Sequence, residues 1–191
     1  GAVVAVPTDT LYGLACSASC SAALDAVYRL KGRSEAKPLA VCLGRVADVY
    51  RYCHVRVPEE LLKDLLPGPV TLVMERSEEL NKDLNPFTPL VGIRIPDHAF
   101  MQDLAQMFGG PLALTSANLS SQASSLNVTV RVSQSFPQKH HQAKHCFLGA
   151  SGVDCALELP VCIIRPGCAL ESTTTILQQK YGLLPSHGSC S

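Results

Sequence analysis

No tryptophan occurs in the 191 residues, and aromatic side chains reach only 5% of the total. Five Phe and five Tyr are scattered along the chain. A surface that stacks single-stranded bases on interleaved rings and cations therefore has no basis in it. Net charge is missing as well. Sixteen Lys and Arg balance sixteen Asp and Glu, which argues against a domain built mainly to grip a nucleic-acid backbone, while leaving room for a local cationic pocket. No apolar run approaches the roughly 20 residues of a membrane span. The longest, Gly1–Pro7 and Pro38–Leu43, are the size of strands. There is no CxxC pair, no HExxH, no nucleophile elbow and no GxxxxGK(S/T) phosphate loop.

What is present describes a compact α/β enzyme or binding domain. Hydrophobic residues make up 47% and charged residues 17%, and a chain of this length buries about two thirds of its unfolded surface as one domain. The nine cysteines are odd in number and unpaired by motif, so they read as free thiols in a reducing compartment, cytoplasmic or mitochondrial. Cys16 and Cys20 have the spacing to share a helical side.

Val3–Val6 reads as a buried strand stopped by Pro7, with the polar segment Thr8–Gly13 at its end, where α/β sheets tend to form ligand sites. Ser21–Leu30 reads as a helix, with Ser21 placed to cap it. Further strands are expected at Pro38–Leu43, Val70–Met74, Val91–Ile95 and Leu112–Leu114, and helices at Val46–Tyr52, Pro58–Leu65 and Asp97–Phe108. Asn81–Pro89 reads as a surface loop and Ser120–Ser125 as a flexible connection. From Val128 to His145 there are six basic or histidine residues and no acid, unlike the first 120. His140, His141, His145 and Cys146 have no structural-zinc spacing and read as a solvated loop.

Three groups carry candidate chemistry. Arg29, Lys31, Arg33 and Lys37 surround a helix end, where cations either contact phosphate or simply complement the helix dipole. Thr115, Ser116 and Asn118 end a strand with hydroxyls and an amide, suited to a carboxylate, phosphate or ribose, or else to a cap or turn. Arg94 lies between Ile93 and Ile95, and Arg165 follows Ile163 and Ile164. Each either faces solvent opposite its isoleucines or joins the cationic group around an anion.

Taken together the motifs are more specific than any one of them. Pro7-Thr8-Asp9-Thr10-Leu11-Tyr12-Gly13-Leu14, Tyr28-Arg29-Leu30-Lys31-Gly32-Arg33, Lys37-Pro38-Leu39, Leu66-Pro67-Gly68-Pro69-Val70-Thr71-Leu72, Gly92-Ile93-Arg94-Ile95-Pro96-Asp97 and Thr115-Ser116-Ala117-Asn118-Leu119-Ser120 resemble the YrdC/Sua5 family of threonylcarbamoyl-adenylate synthases, its animal members most of all. The resemblance runs to Leu126 and resumes at Ile163–Gly167. It implies a YrdC/RibB-like fold, with a curved mixed β-sheet flanked by helices and a large concave active site, over residues 1–167. Residues 128–162 are divergent, and 168–191 form a tail that is helical in part.

It also implies the reaction. L-Threonine and bicarbonate form N-carboxythreonine, whose carboxylate attacks the α-phosphate of ATP, releasing pyrophosphate and leaving threonylcarbamoyl-AMP. Lys31, Arg33, Ser116 and Asn118 would be catalytic and nucleotide-binding, with Arg165 also on the nucleotide. Thr8, Tyr12, Arg94 and Thr115 would bind substrate. Mg²⁺ would be held through the ATP phosphates, with no protein metal site. A separate transferase complex would then act on tRNA, so strong direct tRNA binding is not expected. One stretch departs from the pattern. In Leu148-Gly149-Ala150-Ser151-Gly152-Val153-Asp154 the family serine is Ala150, and Gly152 replaces a β-branched residue, so an incomplete sheet edge is expected. The rival readings are a catalytically weak nucleotide-binding homologue and an RNA-binding module of the same fold.

Overall fold

The computed structural model describes residues 1–31, 38–117, 151–154, 162–165 and 167–183, the two segments at 151–154 and 162–165 as backbone only. Nine strands in this set form one mixed sheet. They are β1 (Val3–Val6), β2 (Gly13–Ser17), β3 (Ala40–Cys42), β4 (Cys53–His54), β5 (Val70–Arg76), β6 (Leu90–Arg94), β7 (Leu112–Ser116), β8 (Ser151–Asp154) and β9 (Cys162–Arg165). The spatial order is β1-β2-β7-β3-β6-β5-β8-β9, with β4 paired to β5. Pairs β3–β6 and β5–β8 are parallel, and the other pairs are antiparallel.

Strand register sorts the side chains into two layers. Cys16, Val41, Ile93, Leu72 and Ala113 lie on one face, in a core shared with α1 (Ser21–Lys31), α2 (Val49–Tyr52), α3 (Glu59–Leu65) and α5 (Leu170–Gln179). On the opposite face, Val6, Ala15, Cys42, Leu112 and Leu114 pack under Met101 and Ala105 of α4 (Ala99–Phe108). This helix ends at Gly109, whose φ of 72° supplies the left-handed residue that stops it. Beyond α4 the same face continues through Ala40, Gly92, Thr71 and Val73, all only half-buried. That patch is the open part of this face.

Several expectations need correcting. Gly13 does not close a loop but begins β2, which forms an antiparallel hairpin with β1 and pairs along its whole length with β7. Cys16 is therefore in a strand, and Cys20 precedes α1, its carbonyl accepting from the Ala23 and Leu24 amides. Ser21 is the first helical residue rather than the cap, and its hydroxyl receives Asn81 Nδ2 at 3.1 Å. The expected helix from Val46 splits into a 3-10 turn, Val46–Asp48, and the short α2. Asn81–Pro89 is not wholly a surface loop, because Leu84 and Asn85 have no exposed area. The edge near Gly152 is paired rather than incomplete: β8 bonds to β5 on one side and β9 on the other, with an irregularity between Gly152 and Val153. Ala150, the segments 120–125 and 128–145, and the histidine cluster lie outside the described residues.

Among the described residues, Cys16, Cys20, Cys42 and Cys53 are free thiols. Burial pushes Cys16 up to about 11 and Cys42 and Cys53 up to about 12, so these three are protonated packing groups rather than nucleophiles.

Gly13 gives a direct test of the hairpin. A Cβ there would sit 2.9 Å from Leu114 Cδ1 and 3.0 Å from the Thr115 carbonyl oxygen, too close for the backbone to ignore. Gly13→Ala is expected to lower stability by about 1–3 kcal/mol by forcing β2 off β7. Calorimetric melting checks this, and an unchanged melting temperature would show that the strands yield easily.

Candidate active site

The loop after β1 is shaped by one hydroxyl. Thr8 Oγ1 accepts from the Thr10 amide at 3.2 Å and the Leu11 amide at 3.1 Å, and donates to the Leu11 carbonyl at 2.6 Å. Such a side chain replaces the local backbone pairing that a helix or strand would supply. The turn carries Asp9 and Thr10 inward, toward the end of β6.

There Arg94 meets them. It is only 8% exposed, and its Nη2 donates to Asp9 Oδ1 at 2.5 Å and to Thr10 Oγ1 at 2.7 Å. The other Asp9 oxygen, Oδ2, accepts from the Asp97 amide at 2.9 Å. Alternation along β6 does put Arg94 opposite Ile93, as strand periodicity requires, yet that opposite face is not solvent. The Thr8–Leu11 loop covers it. Arg94 shares its pleat with Cys42, Leu112 and Gly92 through the strand register.

The end of β7 forms the other wall. Gly13 lies opposite Ser116 and Leu14 opposite Thr115, and the Ala117 amide donates to the Tyr12 carbonyl at 2.9 Å. β7 thus extends to Ser116, so Thr115 and Ser116 are strand residues on alternate faces. Ser116 is half-buried on the open face, and Thr115, at 9% exposure, is on the side of α1. From that side comes Lys31. It is 2% exposed, and its Nζ donates to the Ser116 carbonyl at 2.6 Å. The stripe Leu24, Val27 and Tyr28 of α1 points into the core, and Lys31 continues it at helical spacing.

A second polar knot lies beneath. Asn85 Oδ1 accepts from the Leu39 amide at 2.7 Å and from Tyr28 Oη at 3.2 Å, while Nδ2 donates to the Leu39 carbonyl at 2.9 Å. The side-chain amide pairs with Leu39 as a neighbouring strand would. Asn85 holds a φ of 50°, which asparagine tolerates better than most residues.

Thr8 and Arg94 therefore meet at the end of β6, and the backbone of Tyr12 joins their loop to the end of β7 at Ser116, whereas Thr115 and Lys31 lie on the α1 side of that strand end, Lys31 reaching it through the Ser116 carbonyl. Arg33 and Asn118 lie outside the described residues. Arg165 is placed by backbone register only, opposite Gly152, which in turn pairs with Thr71. Asp9 and Asn85 are the side chains that sequence reasoning did not single out. No three His, Cys, Asp or Glu side chains gather as metal ligands among the described residues, and both oxygens of Asp9 are occupied by protein donors.

Comparison with known proteins follows the same lines. A family model, Sua5/YciO/YrdC, described as "Telomere recombination", matches residues 1–166. A human protein named threonylcarbamoyl-AMP synthase is 78% identical over 99% of this chain and 71% of its own length. The crystal structure of Pyrococcus abyssi Sua5 complexed with L-threonine superposes with a TM-score of 0.72 at 29% identity. It covers 86% of this chain, which spans half of that longer one, 50%. Escherichia coli YciO, at 20% identity and a TM-score of 0.74 over 87% of this chain and 84% of its own, shares the fold.

Proposed function

The chain belongs to the Sua5/YciO/YrdC family, and from that premise we propose that the open face between the Thr8–Tyr12 loop, Arg94 and the end of β7 is its catalytic site. The chain is a nucleotidyltransferase, an L-threonylcarbamoyladenylate synthase serving the t6A modification of tRNA. One observation carries the assignment of the site. Tyr12–Gly13 is hydrogen-bonded and paired to Ser116–Ala117, so the loop that meets Arg94 and the strand end held by Lys31 form one continuous wall.

The chemistry asks for orientation and charge stabilisation rather than a strong base. The threonine amine and bicarbonate condense to a carbamate with loss of water. One carbamate oxygen forms a bond to the α-phosphorus as the α–β phosphoanhydride breaks, and pyrophosphate carries the electron pair away. Arg94 receives the threonine carboxylate. Thr8 and Tyr12 shape the pocket around it, Thr8 by holding its own loop. Ser116, with Thr115 and Asn118, positions the nucleotide beside the reacting carbamate. Lys31 and Arg33 offset the charge that develops on the phosphates, and Arg165 has the role of a further nucleotide contact. Mg²⁺ would be held through the ATP phosphates and would supply further charge neutralisation there. A separate tRNA-modifying complex takes the product onward, in keeping with a neutral chain.

Incubation with ATP, L-threonine and bicarbonate is expected to yield threonylcarbamoyl-AMP and pyrophosphate in equal amounts. Pyrophosphate without the adenylate, or neither, would overturn the reading. The substrate assignment has its own test in Thr8→Val, which leaves the Thr10 and Leu11 amides without their acceptor. Loss of about 1–1.5 kcal/mol of loop order is expected, weakening threonine binding roughly five- to tenfold. ATP affinity should change less than about twofold, as titration calorimetry with each ligand would report. A larger loss for ATP would place Thr8 on the wrong substrate.

A further inference from the structure

Asp9 has no part in the chemistry above, yet its side chain is only 9% exposed and fully engaged. It joins two segments far apart in sequence, accepting from Arg94, 85 residues away, and from the Asp97 amide at the approach to α4. Arg94 spends one nitrogen on this contact. Nη2 makes both bonds to the loop, and Nε is buried with no partner among the described residues. A guanidinium this well enclosed loses water on every side, and an unpaired buried N–H is costly unless something fills the place.

We infer that Asp9 is a positioning residue for threonine recognition: it clamps Arg94 against the loop, so that the N–H groups not spent on Asp9 and Thr10 are presented to the substrate carboxylate. The inference rests on the reading that Arg94 receives that carboxylate. Opposite charges on Asp9 and Arg94 leave the pair neutral, so selectivity for the anion comes from directed N–H groups rather than from an unscreened cation. Without Asp9 the long arginine side chain regains rotamer freedom and must be ordered anew each time threonine binds. The Asp97 amide serves the same end from the other side, because it fixes the second carboxylate oxygen and hence the direction of the first.

Asparagine at position 9 cannot repeat this arrangement, since its NH₂ group would face a donor at either Arg94 or the Asp97 amide. The test compares Asp9→Asn, Arg94→Gln, the double variant and Thr10→Val in steady-state pyrophosphate release, with melting temperatures recorded alongside. Asp9→Asn is expected to raise the threonine KM about tenfold and Arg94→Gln about twentyfold, with the ATP KM moved by less than about twofold. The double variant should match Arg94→Gln within about twofold, because a residue that acts through Arg94 has nothing left to act on once Arg94 is gone. Thr10→Val, which removes the neutral acceptor of Nη2, should raise the same constant roughly two- to fivefold.

Multiplying effects in the double variant, or equal shifts in both KM values, would make Asp9 a structural tie and overturn the inference. So would an unchanged threonine KM in Asp9→Asn beside a raised one in Arg94→Gln. Should Asp9→Asn fail to fold, Thr10→Val decides: no change in threonine KM there rejects the clamp. An unchanged threonine KM in Arg94→Gln would remove the carboxylate assignment itself, and the role of Asp9 with it.

Discussion

Replacing Asn85 by Ala will lower the melting temperature by about 5–20 °C, a loss of stability larger than that expected from Gly13→Ala or Tyr28→Phe. Asn85 has no exposed area, and its amide satisfies both the N–H and the C=O of Leu39 while receiving Tyr28 Oη. Truncation leaves two buried backbone groups unpaired at about 1–3 kcal/mol each. For a domain of this size each kcal/mol shifts the midpoint by roughly 2–4 °C. Calorimetry gives the total, and hydrogen exchange at the Leu39 amide gives the local cause. A shift of less than about 2 °C would show that water or a backbone movement replaces the side chain. Tyr28→Phe removes only one weak partner, and about 0.5–1.5 kcal/mol is expected from it.

The largest loss of activity short of removing a substrate is expected from Lys31→Met. The stem keeps its packing at the end of α1, but the ammonium no longer reaches the Ser116 carbonyl, and its charge is lost beside the nucleotide wall. A charge-assisted bond of this kind contributes about 1.5–3 kcal/mol, so kcat/KM should fall roughly ten- to 150-fold. Melting should fall by only a few degrees, about the effect of one unpaired carbonyl. A stable Lys31→Met protein with undiminished kcat/KM would reduce Lys31 to a core side chain. Equal fractional losses of activity and folded protein would do the same.

These two residues show how far a sequence carries the inference. Lys31 was legible in the family motif, while as one of several cations at a helix end it reads as a solvated terminus just as well; that it continues the buried stripe Leu24, Val27 and Tyr28 is seen only in the structure. Arg94 was legible as a strand residue facing away from Ile93. What covers that face was not, because the Thr8–Leu11 loop arrives from more than 80 residues away, 84 in the case of Thr10. Asn85 sits among Asn81, Asp83, Pro86 and Pro89, residues that favour surface turns. Its burial follows from Leu84 beside it, one of two large apolar residues in a polar stretch, the other, Phe87, being exposed. Asp9 was hidden for a similar reason, since aspartate in a polar loop serves most often as a turn residue.

Strands show the same division. β1, β5, β6 and β7 declare themselves through β-branched or alternating apolar residues. β2 does not. Leu14-Ala15-Cys16-Ser17 contains no β-branched residue, and it becomes a strand because β1 and β7 flank it with matched hydrogen bonds. Tertiary pairing decided what local preference left open. The helices α1, α3 and α4 were located within one or two residues of their observed ends, where apolar periodicity was strong.

The pairing of β2 with β7 also bears on the order in which the protein is made. On a ribosome adding about 5–20 residues each second, β1 and β2 emerge and can close their hairpin long before β7 exists. Until Leu112–Ser116 is synthesised, the far edge of β2 carries unpaired amides and carbonyls, the kind of edge that recruits other chains. Arg94 must likewise find Asp9 across 85 residues, and Lys31 must find Ser116 across the same span. A nascent chain stalled between Ser17 and Leu112 thus holds the complete threonine loop and none of the strand that fixes it, and such a chain is a client for chaperones before it is an enzyme.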